Sequence, residues 1–193
     1  MGVAFGCVGN TIRLRSGNYF DLSEPKQDQF TIEDVAGALS KICRFGGQID
    51  RFYSVAEHSV LCMKVAESDG LSFNDRFACL MHDATEAFVG DCVKPLKMML
   101  RDFDEIESRV ERVIEAKFGI DFCGAKSSVR KIDHEMLIAE RRALFSVDDV
   151  QWAGESTVRR IKPLISCMPP DQAEDEFLHE AIKMIQAKKE GAA

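Results

Sequence analysis

Apolar positions recur along this chain with two periods, and they divide it into a short hairpin followed by helices. Ile12 and Leu14 alternate with polar neighbours, Ser16-Gly17-Asn18 supplies turn chemistry, and Tyr19, Phe20 and Leu22 follow, which predicts a hairpin over 11–22. Thr31 is a good N-cap, with Asp34 three residues on, and Val35, Leu39 and Ile42 carry a helix to just before Gly46-Gly47. Ser54 caps a second helix, Val55 to about Ser68, with Glu57 placed to complete a capping box. Val55, Ser59, Cys62, Met63 and Ala66 make one face of it, and His58 falls on that face. Ser72 or Asn74 caps a third helix that carries His82 and Asp83 and closes near Gly90, and Pro95 opens a short fourth. Phe103, Ile106, Val110, Val113, Ile114 and Phe118 mark an amphipathic helix from Asp102 to Phe118, closed by Gly119. Another starts at Ser127 or Ser128, with Val129, Ile132, Met136, Leu137, Ala139, Ala143 and Leu144 on its buried side. The stretch 146–170 is weakly patterned, and a last helix covers Asp171 to Lys189. The pattern predicts an all-α protein with a short N-terminal β-hairpin. One domain spans 1–193: hairpin 11–22, core helices 31–145, and a C-terminal helical wrap over 146–190.

Composition narrows the function classes. The net charge is −7 and no run of lysines and arginines forms a basic stripe, which disfavours a nucleic-acid polymer as partner but leaves room for a small anion. No apolar run approaches the ~20 residues that span a bilayer, so no membrane partner is expected. The first nine residues lack the features of a signal peptide, and Gly6 stands where a myristoylation signal wants Ser or Thr. The cysteines, an odd seven, are scattered without a Cys-x-x-Cys pair and read as reduced, mostly buried small hydrophobes of a cytoplasmic protein.

The chemistry concentrates in Met81-His82-Asp83-Ala84-Thr85-Glu86. Burying an imidazole and a carboxylate in an apolar helix costs several kcal/mol, roughly, unless something compensates both. A divalent cation does so, since neutral imidazole and ionised carboxylate are its ligands. Glu86 lies four residues past His82, on the same side of a helix, where it can reach a metal-bound water without being a ligand. His58 and Asp133 are the further polar residues on apolar faces, so the expected metal ligands are His58, His82, Asp83 and Asp133. His134 points about 100° away around its helix and is expected at the surface, or behind a ligand; His179 is expected to be structural. Arg44-Phe45-Gly46-Gly47 has two readings: a helix C-cap, which context-free residues favour, or a guanidinium for phosphate with a ring for a base. Lys94 and Lys97 are further candidates to neutralise phosphate oxygens.

These residues resemble the HD-domain metal-dependent phosphohydrolases, whose pattern is a histidine, a His-Asp pair and a distant aspartate, here His58, His82-Asp83 and Asp133. The match is closer to the branch of bacterial 5′-deoxynucleotidases and phage-type deoxynucleoside triphosphohydrolases. Its motif is His-Asp-x-x-Glu-x-x-x-x-Asp-x-x-x-Pro, matched by His82, Asp83, Glu86, Asp91 and Pro95. The resemblance covers about 11–145 and implies an HD-domain helical bundle. It also implies one divalent ion (Mn²⁺, Co²⁺, Zn²⁺, Fe²⁺, Ni²⁺ or Mg²⁺), a small nucleotide substrate and a homo-oligomer. Glu86 would assist a metal-bound water attacking phosphorus, Asp91 would contact the sugar, and Arg44 would hold phosphate. The substrate so implied is a deoxyribonucleotide, as 5′-monophosphate or triphosphate. The chain departs from the branch in carrying Arg44-Phe45 where deoxynucleotidases often have Arg-Trp, and Gly47-Gln48-Ile49 where phage-type relatives have Gly-His-Thr. Two other readings compete: a catalytically silent nucleotide-binding regulator, and a metal-free bundle whose His-Asp pair is a buried hydrogen bond.

Overall fold

Local signals in the chain account for most of the element starts in the computed structural model, which describes residues 9–146 and 149–191. Cys7, and the 1–8 stretch read above for targeting signals, lie outside the described residues. Strands β1 (Thr11–Arg13) and β2 (Tyr19–Asp21) pair antiparallel with Ile12 opposite Phe20. Phe20 is fully buried, stacked on Phe88 with centroids 4.0 Å apart, so the hairpin closes one end of the helical core.

Helix α1 (Ile32–Leu39) starts on a complete Thr31–Asp34 capping box. It stops at Leu39, short of the predicted Ile42, because the chain then runs extended and pairs with the segment before the next helix. The Arg44 N–H donates to the Tyr53 carbonyl (2.9 Å) and the Val55 N–H to the Ile42 carbonyl (3.0 Å). Arg44–Gly47 is a tight turn with Phe45 and Gly46 left-handed, φ 59° each, and not a helix C-cap.

Helix α2 (Val55–Ser68) is the central element, buried along most of its length and packed on the helices described next. Ser54 caps it, accepting the Glu57 N–H at 3.1 Å. The Glu57 side chain does not close the expected box; instead it accepts the backbone N–H groups of Ser166, Cys167 and Met168 at 2.7, 3.0 and 2.8 Å.

Helix α3 (Phe73–Met81), capped by Ser72, ends one residue before the motif, so the predicted run to Gly90 is broken. His82 is its C-cap, and bonds from the Ala84 N–H to the Met81 carbonyl and from the Glu86 N–H to the Asp83 carbonyl tighten the next turn. A single turn, α4 (Glu86–Val89), follows, then α5 (Lys94–Lys97) with Pro95 in its first turn, and α6 (Phe103–Phe118), closed by left-handed Gly119.

Helix α7 (Phe122–Leu144) begins before Ser127, because Asp121 Oδ1 accepts the Gly124 N–H at 2.7 Å and caps it earlier. The predicted short helices of 146–170 are absent among the described residues. That segment crosses the surface as a strap held by polar contacts, and helix α8 (Pro170–Lys189) then packs on α1 and α2.

The protein is therefore mostly helical, with the hairpin its one sheet among the described residues. No helix among them is long and apolar enough to cross a membrane. The six described cysteines are free thiols, of which only Cys62 and Cys79 are buried, fewer than expected. A larger core joins the hairpin to α1, α2, α3, α6 and α8. A smaller one, with Tyr53, Leu61, Cys62, Ile132, Met136 and Leu144, lies between α2 and α7.

Candidate metal centre and cleft

Three helices deliver the polar residues of the His-Asp pattern to one point. His58 comes from the first half of α2, His82 and Asp83 from the tightened turn that ends α3, and Asp133 from the middle of α7. His58 Nε2 lies 3.2 Å from His82 Nε2, 3.6 Å from Asp83 Oδ2 and 3.4 Å from Asp133 Oδ1. His82 Nε2 lies 3.4 Å from Asp83 Oδ2 and 3.9 Å from Asp133 Oδ1. Donor atoms sharing an ion at about 2.0–2.2 Å stand about 3–3.5 Å apart, so these separations suit one divalent cation after small adjustments. His82 and its neighbour Asp83 both come from the turn at the break after α3.

Each imidazole is oriented from behind. His58 Nδ1 stands 2.5 Å from Glu140 Oε1, and His82 Nδ1 stands 2.8 Å from the Cys79 carbonyl. Both partners are acceptors, so each Nδ1 carries the proton and each Nε2 faces the centre. Two Nε2 atoms 3.2 Å apart cannot both point a proton at the other, so at least one presents a lone pair.

Glu140 was not foreseen from the sequence, yet it is fully buried and ties the centre together. Besides His58 it accepts the Tyr53 hydroxyl at 2.8 Å and the Arg44 guanidinium at 3.3 Å. Burial opposes its ionisation, but Arg44, His58 and Tyr53 outweigh that and bring its carboxyl down to about 2. Its signal lay two helical turns past Asp133, a second carboxylate among Met136, Ala139 and Leu144. Arg44 is buried as well, bonded to Asp83 at 3.1 Å in addition to Glu140. The guanidinium expected on phosphate thus braces two carboxylates of the centre.

Burial and charged neighbours act against each other on the ionisable groups of the centre. Burial resists protonation of His58 and His82, and Arg44 adds to that at His58, but neighbouring groups (Cys62, Glu140 and Asp133 for the first, Asp83 and Asp133 for the second) override it and raise both. Burial likewise works against an ionised Asp133, and the two imidazoles hold it well below the carboxylate range. His58, Cys62 and His82 form a buried donor cluster able to hold a metal ion, with Cys62 Sγ 3.5 Å from His58 Nε2. Burial pushes the Cys62 thiol up to about 11, so it offers a neutral, weak donor where the aspartates offer charged oxygens.

A cleft of about 700 Å³ opens onto the centre. Asp83 and Asp133 line its floor, the Asp133 side chain 45% exposed and so less deeply set than expected. Glu86 is beside them with a buried Oε2 that has no hydrogen-bond partner among the described residues, and burial, then Asp83 and Asp91, lift its carboxyl to about 10. Asp91 lines the same wall and is raised by burial. Lys94 and Lys97 stand at the rim, Lys97 paired with Glu107 and Lys94 in no salt bridge among the described residues. Phe45 lines the cleft too, joined by Trp152 from the strap. His134 Nε2 meets the Ala153 carbonyl at 2.9 Å, turned to the strap, while His179 is exposed on α8.

The Escherichia coli protein YfdR, which is named as uncharacterized, is 38% identical over 141 residues, spanning 73% of this chain and 76% of YfdR. The chain belongs to the YfdR family. An uncharacterized protein of Rhodobacter capsulatus is 34% identical over 113 residues, 56% of this chain and 58% of its own length. A scan against protein-family models finds no match. Neither relative's name carries an activity to this YfdR-family chain, so its chemistry is argued from its own side chains. The second residue missed in the sequence is Trp152, whose weakly patterned surroundings show no period that would aim it at the cleft.

Proposed function

We propose that this protein is a metal-dependent phosphohydrolase of the HD-domain type that acts on small nucleotides, most naturally deoxyribonucleotides. The observation that carries the reading is the convergence of His58 Nε2, His82 Nε2, Asp83 Oδ2 and Asp133 Oδ1 beside a nucleotide-sized cleft that the two aspartates line. These four residues would hold one divalent ion: two neutral nitrogens and two carboxylate oxygens suit Mn²⁺, Co²⁺, Zn²⁺, Fe²⁺ or Ni²⁺, and less so Mg²⁺. When bound, the ion would supply Lewis acidity to a phosphoryl oxygen and acidify water.

The chain's own residues do the rest. Glu140 and the Cys79 carbonyl fix the imidazole rings and keep their Nε2 atoms facing the centre. Arg44 pairs with Asp83 and Glu140 and helps to keep the buried Glu140 carboxylate ionised. Glu86, its carboxyl lifted to about 10 and its Oε2 without a hydrogen-bond partner among the described residues, is placed to exchange a proton with a water or a phosphate oxygen in the cleft. Asp91 faces the same space and suits a sugar hydroxyl, and Lys94 at the rim suits a polyphosphate tail.

Product analysis tests the reading. The protein supplied with Mn²⁺ or Co²⁺ is offered deoxynucleoside mono- and triphosphates; phosphate or tripolyphosphate release is expected and identifies the scissile bond. Glu86→Gln should keep its metal and lose about 10²–10⁴ in kcat. Stoichiometric metal binding with no phosphate release from any nucleotide would replace the hydrolase by a nucleotide-binding regulator.

A further inference from the structure

Trp152 is the single tryptophan of the chain, stands on the strap and lines the cleft together with Asp83, Glu86 and Asp133. Its position is built rather than incidental. Glu155 accepts the Trp152 backbone N–H at 3.3 Å and pairs with both Arg141 and Arg142. The Arg141 guanidinium lies 5.0 Å from the centre of the indole and also donates to the Val150 carbonyl. Phe145 meets the indole at 5.7 Å and 66°, and Phe45 at 6.3 Å and 56°. No two rings of this trio are stacked in parallel, and two of them, Phe45 and Trp152, line the cleft. Phe45 reaches this place with a left-handed backbone, φ 59°, which disfavours a bulky residue and is retained in functional sites more readily than elsewhere.

We propose that Trp152, with Phe45, forms an aromatic subsite for the heteroaromatic base of a nucleotide whose phosphate reaches the carboxylate centre. The inference rests on the phosphohydrolase reading for the placement of the phosphate, but the subsite itself is a matter of binding. The indole comes from a segment far along the chain from the Arg44-Phe45 turn. It supplies a face and a ring N–H to a site in which the motif position holds phenylalanine. Stacking on it is tolerant of base identity, because every base has a π-face. The subsite therefore selects nucleotides over base-free sugar phosphates more than it selects among bases.

The emission of the single tryptophan reads this subsite directly. The full-length protein, metal-free and Mn²⁺-loaded, is titrated with thymidine 5′-monophosphate and with deoxyribose 5-phosphate. A saturable emission change with the nucleotide, and none with the base-free compound, is expected. Trp152→Leu should narrow the preference in kcat/KM for nucleotide over deoxyribose 5-phosphate by about tenfold, mostly through KM, and Trp152→Phe should restore most of it. An unchanged preference in Trp152→Leu, or nucleotide turnover without any emission change, overturns the subsite and leaves the hydrolase reading standing. A nucleotide-specific emission change without phosphate release supports the subsite and removes the hydrolase reading. If Trp152→Leu does not fold, the titration of the unaltered protein and the Trp152→Phe ratio still decide.

Discussion

At the scale of single residues, the centre depends on groups that never touch its inner face. Glu140 is the clearest case, because it meets the ring of His58 from behind while also satisfying Tyr53 and Arg44. Replacing it by glutamine keeps the shape but removes the charge that favours a proton on Nδ1 and holds Arg44. Groups that orient a metal-ligating histidine typically contribute 10–100-fold to metal affinity. Glu140→Gln is therefore expected to weaken Mn²⁺ or Co²⁺ binding by about that factor, read by competition with a chromophoric chelator. Affinity equal to that of the unaltered protein would mean His58 needs no such support. Tyr53→Phe removes a neutral donor from the same carboxylate and should cost less.

At the scale of elements, the strap over 149–169 owes its path to polar anchors, since its own sequence has no helical or strand period. Glu57 gathers three successive backbone N–H groups at Ser166, Cys167 and Met168, and Arg159 pairs with Asp69 and Glu135. Glu57 is almost wholly buried, and removing its carboxylate takes the shared acceptor from three successive N–H groups of the exposed to half-buried strap. Glu57→Ala is expected to lower unfolding stability by about 2–4 kcal/mol in urea, with earlier proteolytic cutting within the strap. A loss within about 0.5 kcal/mol would show that the strap is held by its apolar contacts alone. The break between α3 and α4 belongs to this scale as well: His82 and Asp83 sit in the tightened turn between the two helices, with His82 Nε2 3.4 Å from Asp83 Oδ2.

At the scale of the whole molecule, metal, protons and stability are linked. His58 and His82 have folded-state values above the ordinary histidine 6.5. A raised value means their stabilising protons are fully present below about 6.5 and are lost as pH rises through the raised values. A divalent ion held by these rings would compete with those protons and take over their role. The melting-temperature gap between Mn²⁺-loaded and chelator-treated protein should therefore widen from roughly pH 5.5 to 8.5. A gap that stays level or narrows would contradict a cation placed among these groups. The net charge of −7 works in the same direction, drawing cations toward the protein.

Short-range physics made much of this protein legible from its sequence. Thr31, Ser54, Ser72 and Gly119 act within one helical turn of themselves, so the capping signals placed most helix ends, and alternation placed the hairpin. His58, His82, Asp83 and Asp133 stood out because ionisable groups on apolar helix faces call for a partner, and the fold brings their donor atoms together. Where local signals competed, packing decided: Asp121 capped α7 ahead of Ser127, and α1 stopped at Leu39 because its continuation pairs with Tyr53 and Ser54. Only the tertiary structure could turn Arg44 onto Asp83 and Glu140, give Glu57 to the strap, or bring Trp152 beside Phe45. Each of those contacts joins residues far apart in the chain, and no periodicity records which distant partner a polar group or a ring will meet.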